Sequence, residues 1–185
     1  MSKIYHNKRV ILVNGIPASG KSSIASSISE SLGLPYLVLD SLKEPFMMLH
    51  PDISREKNRE LGAAAYEALW KIIENSPKEC TYVVDAWFGF QSREVLVEYI
   101  NKSNVSEILE IWNDISSEVV CERYKKRINF RSSGHPGIEY LPELDLLARR
   151  AKPMNIGKTL IINQDTNIEI ENVYNWLKKN LQKKV

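Results

Sequence analysis

Residues 15 to 22 read Gly-Ile-Pro-Ala-Ser-Gly-Lys-Ser. A glycine, four residues, then Gly-Lys-Ser is the spacing of a phosphate-binding loop. Each fixed position has a physical task. Gly15 and Gly20 let the backbone curl around an anion with no Cβ in the way. The curl through Ala18 and Ser19 aims successive N–H groups inward, making a nest for phosphate oxygens. Lys21 reaches the β- and γ-phosphates as a point charge. The Ser22 hydroxyl is suited to coordinate Mg2+, and Ser23 completes the cradle.

The flanking sequence agrees with this reading. Residues 9 to 14, Arg-Val-Ile-Leu-Val-Asn, form a short apolar run that suits a buried strand. After the loop, Ile24, Ala25, Ile28 and Leu32 keep helical spacing, and Gly33 and Pro35 end that helix. Strand, loop, helix is the order the motif needs, because the helix N-terminus adds favourable dipole to an anion site.

Four more apolar runs read as strands: residues 36 to 40, 81 to 87, 107 to 112 and 159 to 163. Helical spacing predicts helices over about 54 to 75, 91 to 101, 117 to 130, 142 to 151 and 168 to 182. The longest carries an apolar face of Leu61, Ala65, Leu69 and Ile72 or Ile73. Strands alternating with helices imply a parallel α/β sheet covered on both faces. The 185 residues suffice for one such domain and leave no room for two.

Composition excludes several function classes. The 43% hydrophobic and 26% charged content is that of an ordinary globular protein. No apolar run approaches bilayer-spanning length, and the first eight residues lack a signal-peptide core, so a cytoplasmic location with no membrane partner is expected. A net charge of +2 argues against nucleic acid as a partner. Cys80 and Cys121 show no metal-ligand spacing and read as reduced structural residues. Lys178, Lys179, Lys183 and Lys184 read as a solvated helix end. Oligomeric state is not encoded in any pattern of the chain.

Ligands of parallel α/β sheets bind beyond the carboxyl ends of the strands. The second run ends at Asp40 and the third carries Asp85 near its end. A carboxylate closing an apolar strand needs a partner, and bound metal or phosphate chemistry supplies one. Asp85 is the candidate Mg2+ acid. Asp40 is the candidate base for an attacking hydroxyl, although an Asp here also suits a helix cap. Trp87, Phe88 and Phe90 come after Asp85 as a candidate apolar wall for a phosphate acceptor, or as packing beneath a loop. Gln91 and Arg93 come next as candidate substrate contacts or as an exposed first helical turn. His50 reads as a loop residue.

Residues 123 to 137 hold Arg123, Arg127 and Arg131, then the turn signals Ser132-Ser133-Gly134 and Pro136-Gly137. Arg123 and Arg127, four apart, share a helix face. An arginine-bearing helix running into a flexible segment is what a closing lid needs, and we expect the lid over about 123 to 145. Arg123 and Arg127 are candidates for transition-state charge stabilisation, and Arg131 and Arg149 for nucleotide contact. His135 is a candidate substrate contact or turn stabiliser. The polar loop 163 to 167 suits the wall of an adenine pocket or a helix cap.

On these residues the chain resembles the small-molecule kinase branch of the P-loop fold. It is similar to gluconate kinases, shikimate kinases, chloramphenicol phosphotransferases and zeta-type toxins. Leu39-Asp40-Ser41-Leu42 resembles the Val-Asp-Ser-Leu of the chloramphenicol phosphotransferases, whose Asp is taken as the base. Residues 122 to 127 followed by Gly134-His135 resemble the lid of gluconate kinases, with an insertion before the Gly-His pair. The resemblance implies a three-layer fold with a five-stranded parallel sheet in the order 2-3-1-4-5. It also implies a kinase that uses ATP and Mg2+ and transfers a phosphoryl group to a small hydroxylated metabolite or antibiotic. A nucleoside, nucleotide or nucleic-acid-end kinase, a sugar-nucleotide kinase of the zeta type, and a nucleotide-dependent switch are the alternatives.

Overall fold

The computed structural model describes residues 8–50 and 52–181. Five strands, β1 (Lys8–Asn14), β2 (Tyr36–Val38), β3 (Thr81–Ala86), β4 (Val105–Asp114) and β5 (Lys158–Asn163), form one sheet in the order β2-β3-β1-β4-β5. Every pairing is parallel, with Val13 opposite Asp85 and Ile111 in the central register. The helices are α1 (Lys21–Leu32), α2 (Leu39–Met48), α3 (Arg55–Asn75), α4 (Arg93–Lys102), α5 (Ser117–Arg127), α6 (Leu141–Arg150) and α7 (Ile170–Leu181). None of the described helices is long and apolar enough to cross a membrane.

The alternation of side chains along β1 builds the three layers. Val10 and Leu12 face a core completed by Tyr66, Leu69, Trp70 and Ile73 of α3 and Leu96 of α4. Ile11 and Val13 face the opposite core, with Ile24 and Ile28 of α1 and Val173 and Leu177 of α7. All four β1 side chains are fully buried, and each contributes about 1.5–3 kcal/mol by leaving water. A third cluster lies on α5 and α6, where Val120, Tyr124 and Leu144 pack on Ile16 and Trp112. It ties the base of the lid to the phosphate loop.

Several boundaries differ from those the sequence predicts. β2 stops at Val38, so Asp40 sits in the first turn of α2 and not on a strand. An edge strand paired only to β3 has little to extend it, and Asp40 favours a helix N-terminus. β3 ends at Ala86, one residue before Trp87. β4 is longer than its apolar run because its ends still pair in the sheet, Val105 with Lys8 and Asn113 and Asp114 with Ile162 and Asn163. On α3 the buried residue is Ile73, and Ile72 faces solvent. α4 starts at Arg93 because Ser92 caps it, accepting from the Val95 N–H. α5 ends at Arg127, and a 3-10 turn over Ile128–Phe130 comes next. Lys183, Lys184 and the predicted last residue of the final helix lie outside the described residues.

Lys8 is buried at the N-terminal edge of the sheet, where its Nζ donates to the carbonyls of Ile73, Glu74 and Ser103. It thereby satisfies the C-terminal carbonyls of α3 and the end of α4. Burial holds its pKa below the ordinary lysine value, against the pull of Cys80 and Glu74.

Candidate active site

The loop between β1 and α1 has the backbone of an anion cradle. Ala18 (φ 66°) and Gly20 (φ 91°) both adopt left-handed conformations; glycine does so freely, whereas at Ala18 it is a local strain of the kind found in functional loops. A Cβ on Gly15 would lie 2.4 Å from Ser19 Oγ, and one on Gly20 would lie 2.5 Å from Gln164 Oε1. Ser19 Oγ is buried and has no hydrogen-bond partner among the described residues. α1 begins at Lys21 with no side-chain cap and no acidic residue in its first turn. Its leading N–H groups and the orphaned Ser19 hydroxyl are thus the donors a polyphosphate requires, and the loop fits that group. A hollow of about 180 Å3, lined by Ala18, Gly20, Lys21, Ser22, Ser23, Arg123 and Arg127, opens on this cradle.

A larger cleft of about 510 Å3 adjoins it, lined in part by Lys21, Ser22, Asp40, Asp85, Arg127 and Arg131. Burial pushes the Lys21 pKa down; attraction to Asp85 and Asp40 opposes this, and Arg127 and Arg131 reinforce it. Asp85 is buried, and the Tyr36 hydroxyl donates to its Oδ2 at 3.2 Å. The same hydroxyl lies 3.4 Å from the Ser22 carbonyl, which brings Asp85 up to the residue after Lys21. Burial and the neighbouring Asp85 push the Tyr36 pKa well above its ordinary value, so it stays a donor. A free hydroxyl on Ser22 and the Asp85 carboxylate are hard oxygen donors of the kind Mg2+ takes.

Asp40 lines the same cleft as Lys21 and Ser22. Burial favours its neutral form, but Lys21, His135, Arg131 and Lys43 outweigh that, and its pKa falls below the ordinary carboxylate value. Arg131 Nη2 lies 3.5 Å from Asp40 Oδ2. The segment after α5 is docked on the same helix: His135 Nε2 is 2.8 Å from Glu44 Oε1, and Arg131 Nη2 is 2.7 Å from His135 Nδ1. A guanidinium only donates, so His135 Nδ1 accepts and Nε2–H donates to Glu44, the neutral tautomer. Burial, with Arg131, pushes the His135 pKa below its ordinary value. The Gly134 carbonyl accepts from Asn58 Nδ2, and Tyr124 donates to the Pro136 carbonyl at 2.7 Å. Asp40, Glu44 and His135 offer ligand atoms within 4.8 Å of one another. That group already faces Arg131 and Lys43, so it is neutralised from within the protein.

The three lid arginines are placed differently. Arg123 is fixed: its Nη1 donates to Gln164 Oε1 at 3.2 Å and its Nη2 to the Gln164 carbonyl at 2.7 Å. Gln164 Nε2 donates to Asn113 Oδ1, and Asn113 Nδ2 to the Asn14 carbonyl. Arg127 has no hydrogen bond among the described residues, and burial, then Arg131, press its pKa down. It lines both hollows. Arg131 bridges Asp40 and His135.

Four candidates from the sequence, Phe88, Gln91, Arg93 and Arg149, line neither hollow. Phe88 is fully buried in the core with Tyr66, because its N–H is anchored by Asn14 Oδ1 at the end of β1. The next turn exposes Phe90 instead, and Phe90 and Trp87 line the cleft. Arg93 turns away, its guanidinium donating to the carbonyls of Met154 and Asn155. Arg149 is exposed on α6 and pairs with Asp145. Asp165 accepts from the Ser116 N–H and so secures the start of α5.

Sequence reasoning missed the α3 face of the cleft, where Arg55, Asn58, Arg59 and Gly62 recur at the three-to-four-residue spacing of one helical stripe. It also missed Lys43, whose Nζ donates to Asn58 Oδ1 at 2.7 Å. The fully buried Glu110 was hidden in an apolar strand. It accepts from Asn14 Nδ2, the N–H groups of Met154 and Asn155, and Thr159 Oγ1.

The chain matches no protein-family model, and no curated protein matches it. Solved structures do match over nearly the whole length. A candidate kinase from Chloroflexus aurantiacus is 22% identical, with a TM-score of 0.79 over 96% of this chain and 100% of that one. A deoxyadenosine kinase from M. mycoides gives 0.60 at 17% identity, over 94% and 99%. The shikimate kinase from Bacteroides thetaiotaomicron gives 0.58 at 18% identity, over 95% and 98%. With the parallel sheet in the order 2-3-1-4-5 and the loop after its central strand, the chain has the fold of the P-loop small-molecule kinases.

Proposed function

We propose that the protein is an ATP-dependent phosphotransferase that moves the γ-phosphoryl group to a hydroxyl of a small molecule. One observation carries this reading. Asp40 and Asp85 line a single cleft with Lys21, Arg127 and Arg131, and both carboxylates act on the Lys21 charge. A nucleotide-binding switch needs the cradle and the metal acid. It has no need of a second carboxylate on the same cleft.

The triphosphate lies on residues 15 to 23, with Ser22 and Asp85 as the residues that hold Mg2+. Held by those two residues, the metal would supply neutralisation of phosphate charge. The acceptor hydroxyl lies against Asp40. Its oxygen attacks the γ-phosphorus, the bond to the bridging oxygen of the leaving ADP breaks, and the hydroxyl proton passes to the Asp40 carboxylate. Asp40 is a weak base because four cationic or polar neighbours favour its charged form. That suits a loose transition state, in which the nucleophile is hardly bonded to phosphorus and the proton moves late. Lys21 and Arg127 face the charge on the transferred group. Arg123, clamped by Gln164, is a fixed contact beside the cradle. The docked lid excludes water as a competing acceptor.

The test is ADP release from Mg–ATP against a panel of shikimate, gluconate, simple sugars, deoxynucleosides and chloramphenicol. An acceptor-dependent rate in the wild type that falls in Asp40→Asn supports the reading. ATP turnover that ignores every acceptor and survives Asp40→Asn overturns it.

A further inference from the structure

Six of the eight glycines have a clear local reason to be glycine: their φ is left-handed, or an added Cβ would collide with a neighbour at 2.4 Å or less, whereas at Gly137 it would meet only the movable end of the Glu139 side chain. Gly62 has neither. It sits in the middle of the 21-residue α3, its backbone is ordinarily helical, and a Cβ built on it meets no heavy atom within 4 Å. A mid-helix glycine weakens a helix relative to alanine, so the fold itself gains nothing from it. Gly62 lines the larger cleft.

Its surroundings define the space it leaves. Tyr66, four residues on, leans back over the turn that contains Gly62. Phe90 packs edge-on against Tyr66, with ring centroids 5.0 Å apart, and is 44% exposed. A large aromatic side chain left 44% exposed on the cleft offers it an apolar surface. Trp87 lines the same hollow, and Asp40 lies on it as well.

We propose that Gly62 determines acceptor specificity: the notch it leaves beside Phe90 seats the carbon body of a ring-bearing alcohol, whose hydroxyl points to Asp40. This rests on the phosphotransferase reading. It narrows the acceptor to alcohols with a flat or cyclic apolar body and disfavours compact polyols, which would leave the notch and Phe90 uncovered.

The test is binding of benzyl alcohol, with glycerol as the compact comparison. Both are titrated by ligand-observed NMR with Mg2+ and a non-hydrolysable ATP analogue present. Wild type, Gly62→Ala and Gly62→Leu are compared, with melting temperature and nucleotide affinity measured in parallel. The wild type should bind benzyl alcohol more tightly than glycerol. Gly62→Ala should raise the melting temperature by about 2–4 °C through helix propensity alone. Yet it should weaken benzyl alcohol, and Gly62→Leu should weaken it roughly tenfold or more, while nucleotide affinity holds. Equal benzyl alcohol binding by all three proteins, no preference over glycerol, or a lower melting temperature for Gly62→Ala overturns the notch alone. Absence of nucleotide binding by the wild type overturns the phosphotransferase reading with it.

Discussion

Replacing Glu110 by glutamine keeps the shape of the side chain and removes one acceptor oxygen. Oε1 accepts from Asn14 Nδ2 and the Met154 N–H, each at 2.8 Å. Oε2 accepts from the Asn155 N–H at 2.8 Å and from Thr159 Oγ1 at 3.3 Å. Whichever way the new amide turns, its N–H2 meets at least one N–H that can only donate. Hydrogen bonds to a charged acceptor are worth about 1.5–3 kcal/mol each, and an orphaned buried donor adds its desolvation penalty. We expect Glu110→Gln to lose about 2–4 kcal/mol. At roughly 2–4 °C per kcal/mol for a chain of this size, that is a fall of about 5–15 °C in melting temperature. Urea denaturation with tryptophan fluorescence as the probe measures it. The same substitution should weaken nucleotide binding, because Asn14 directly precedes Gly15 and loses its anchor. A stability change within about 0.5 kcal/mol, the range of an ordinary surface substitution, would refute the reasoning.

Asp40→Asn should lower acceptor-dependent turnover by roughly 10^2–10^4 while nucleotide affinity stays near that of the wild type, checked by coupled ADP assay and calorimetry. Tyr36→Phe removes the hydroxyl that bridges Asp85 and the Ser22 carbonyl, so the Mg2+ concentration for half-maximal activity should rise severalfold; an unchanged metal requirement would separate Tyr36 from the metal site. His135 has a folded pKa below its ordinary value of 6.5, so the neutral form holds the lid and its contribution is complete above that value. It declines as pH falls from there toward the folded pKa, since the undocked lid takes up the proton more readily. Glu44, Asp40, Lys43 and Arg131 all face this ring, and protonation at Nδ1 would set a second cation against Arg131. Limited proteolysis should therefore cut the lid faster at about pH 5.5 than at about pH 7.5, and His135→Gln should flatten that difference.

The alternation of strand and helix, and the tight loop from Gly15 to Gly20 between the first strand and helix, were legible in the sequence because each rests on local spacing. Asp40, Asp85 and Trp87 were legible because they stand at or just past the apolar runs, where ligands of parallel sheets bind. Arg127 was legible because it shares a helix face with Arg123. The errors arise where position depends on contacts across the sheet. Phe88 and Phe90 look alike in sequence. Only the hydrogen bond from the Phe88 N–H to Asn14 decides which ring enters the core. Arg93 and Arg149 lie on helices of the right approximate position, but α4 and α6 present them to the Met154 and Asn155 carbonyls and to Asp145. Glu110 sits in a run of apolar residues with no local mark of its partners, which come from β1, the segment before β5 and β5 itself. The stripe of Arg55, Asn58, Arg59 and Gly62 was legible in principle, since its spacing is helical. It was overlooked because the apolar face of the same helix dominates the pattern.

The central claim is that the loop from Gly15 to Ser23 holds a magnesium–nucleotide polyphosphate. The most direct measurement is calorimetric titration of the folded protein with Mg2+ and a non-hydrolysable ATP analogue, repeated with Lys21→Ala. The account predicts one saturable site in the wild type and at least roughly tenfold weaker binding without the Lys21 charge. No heat of binding to the folded wild-type protein, or equal affinity in the two proteins, would contradict it.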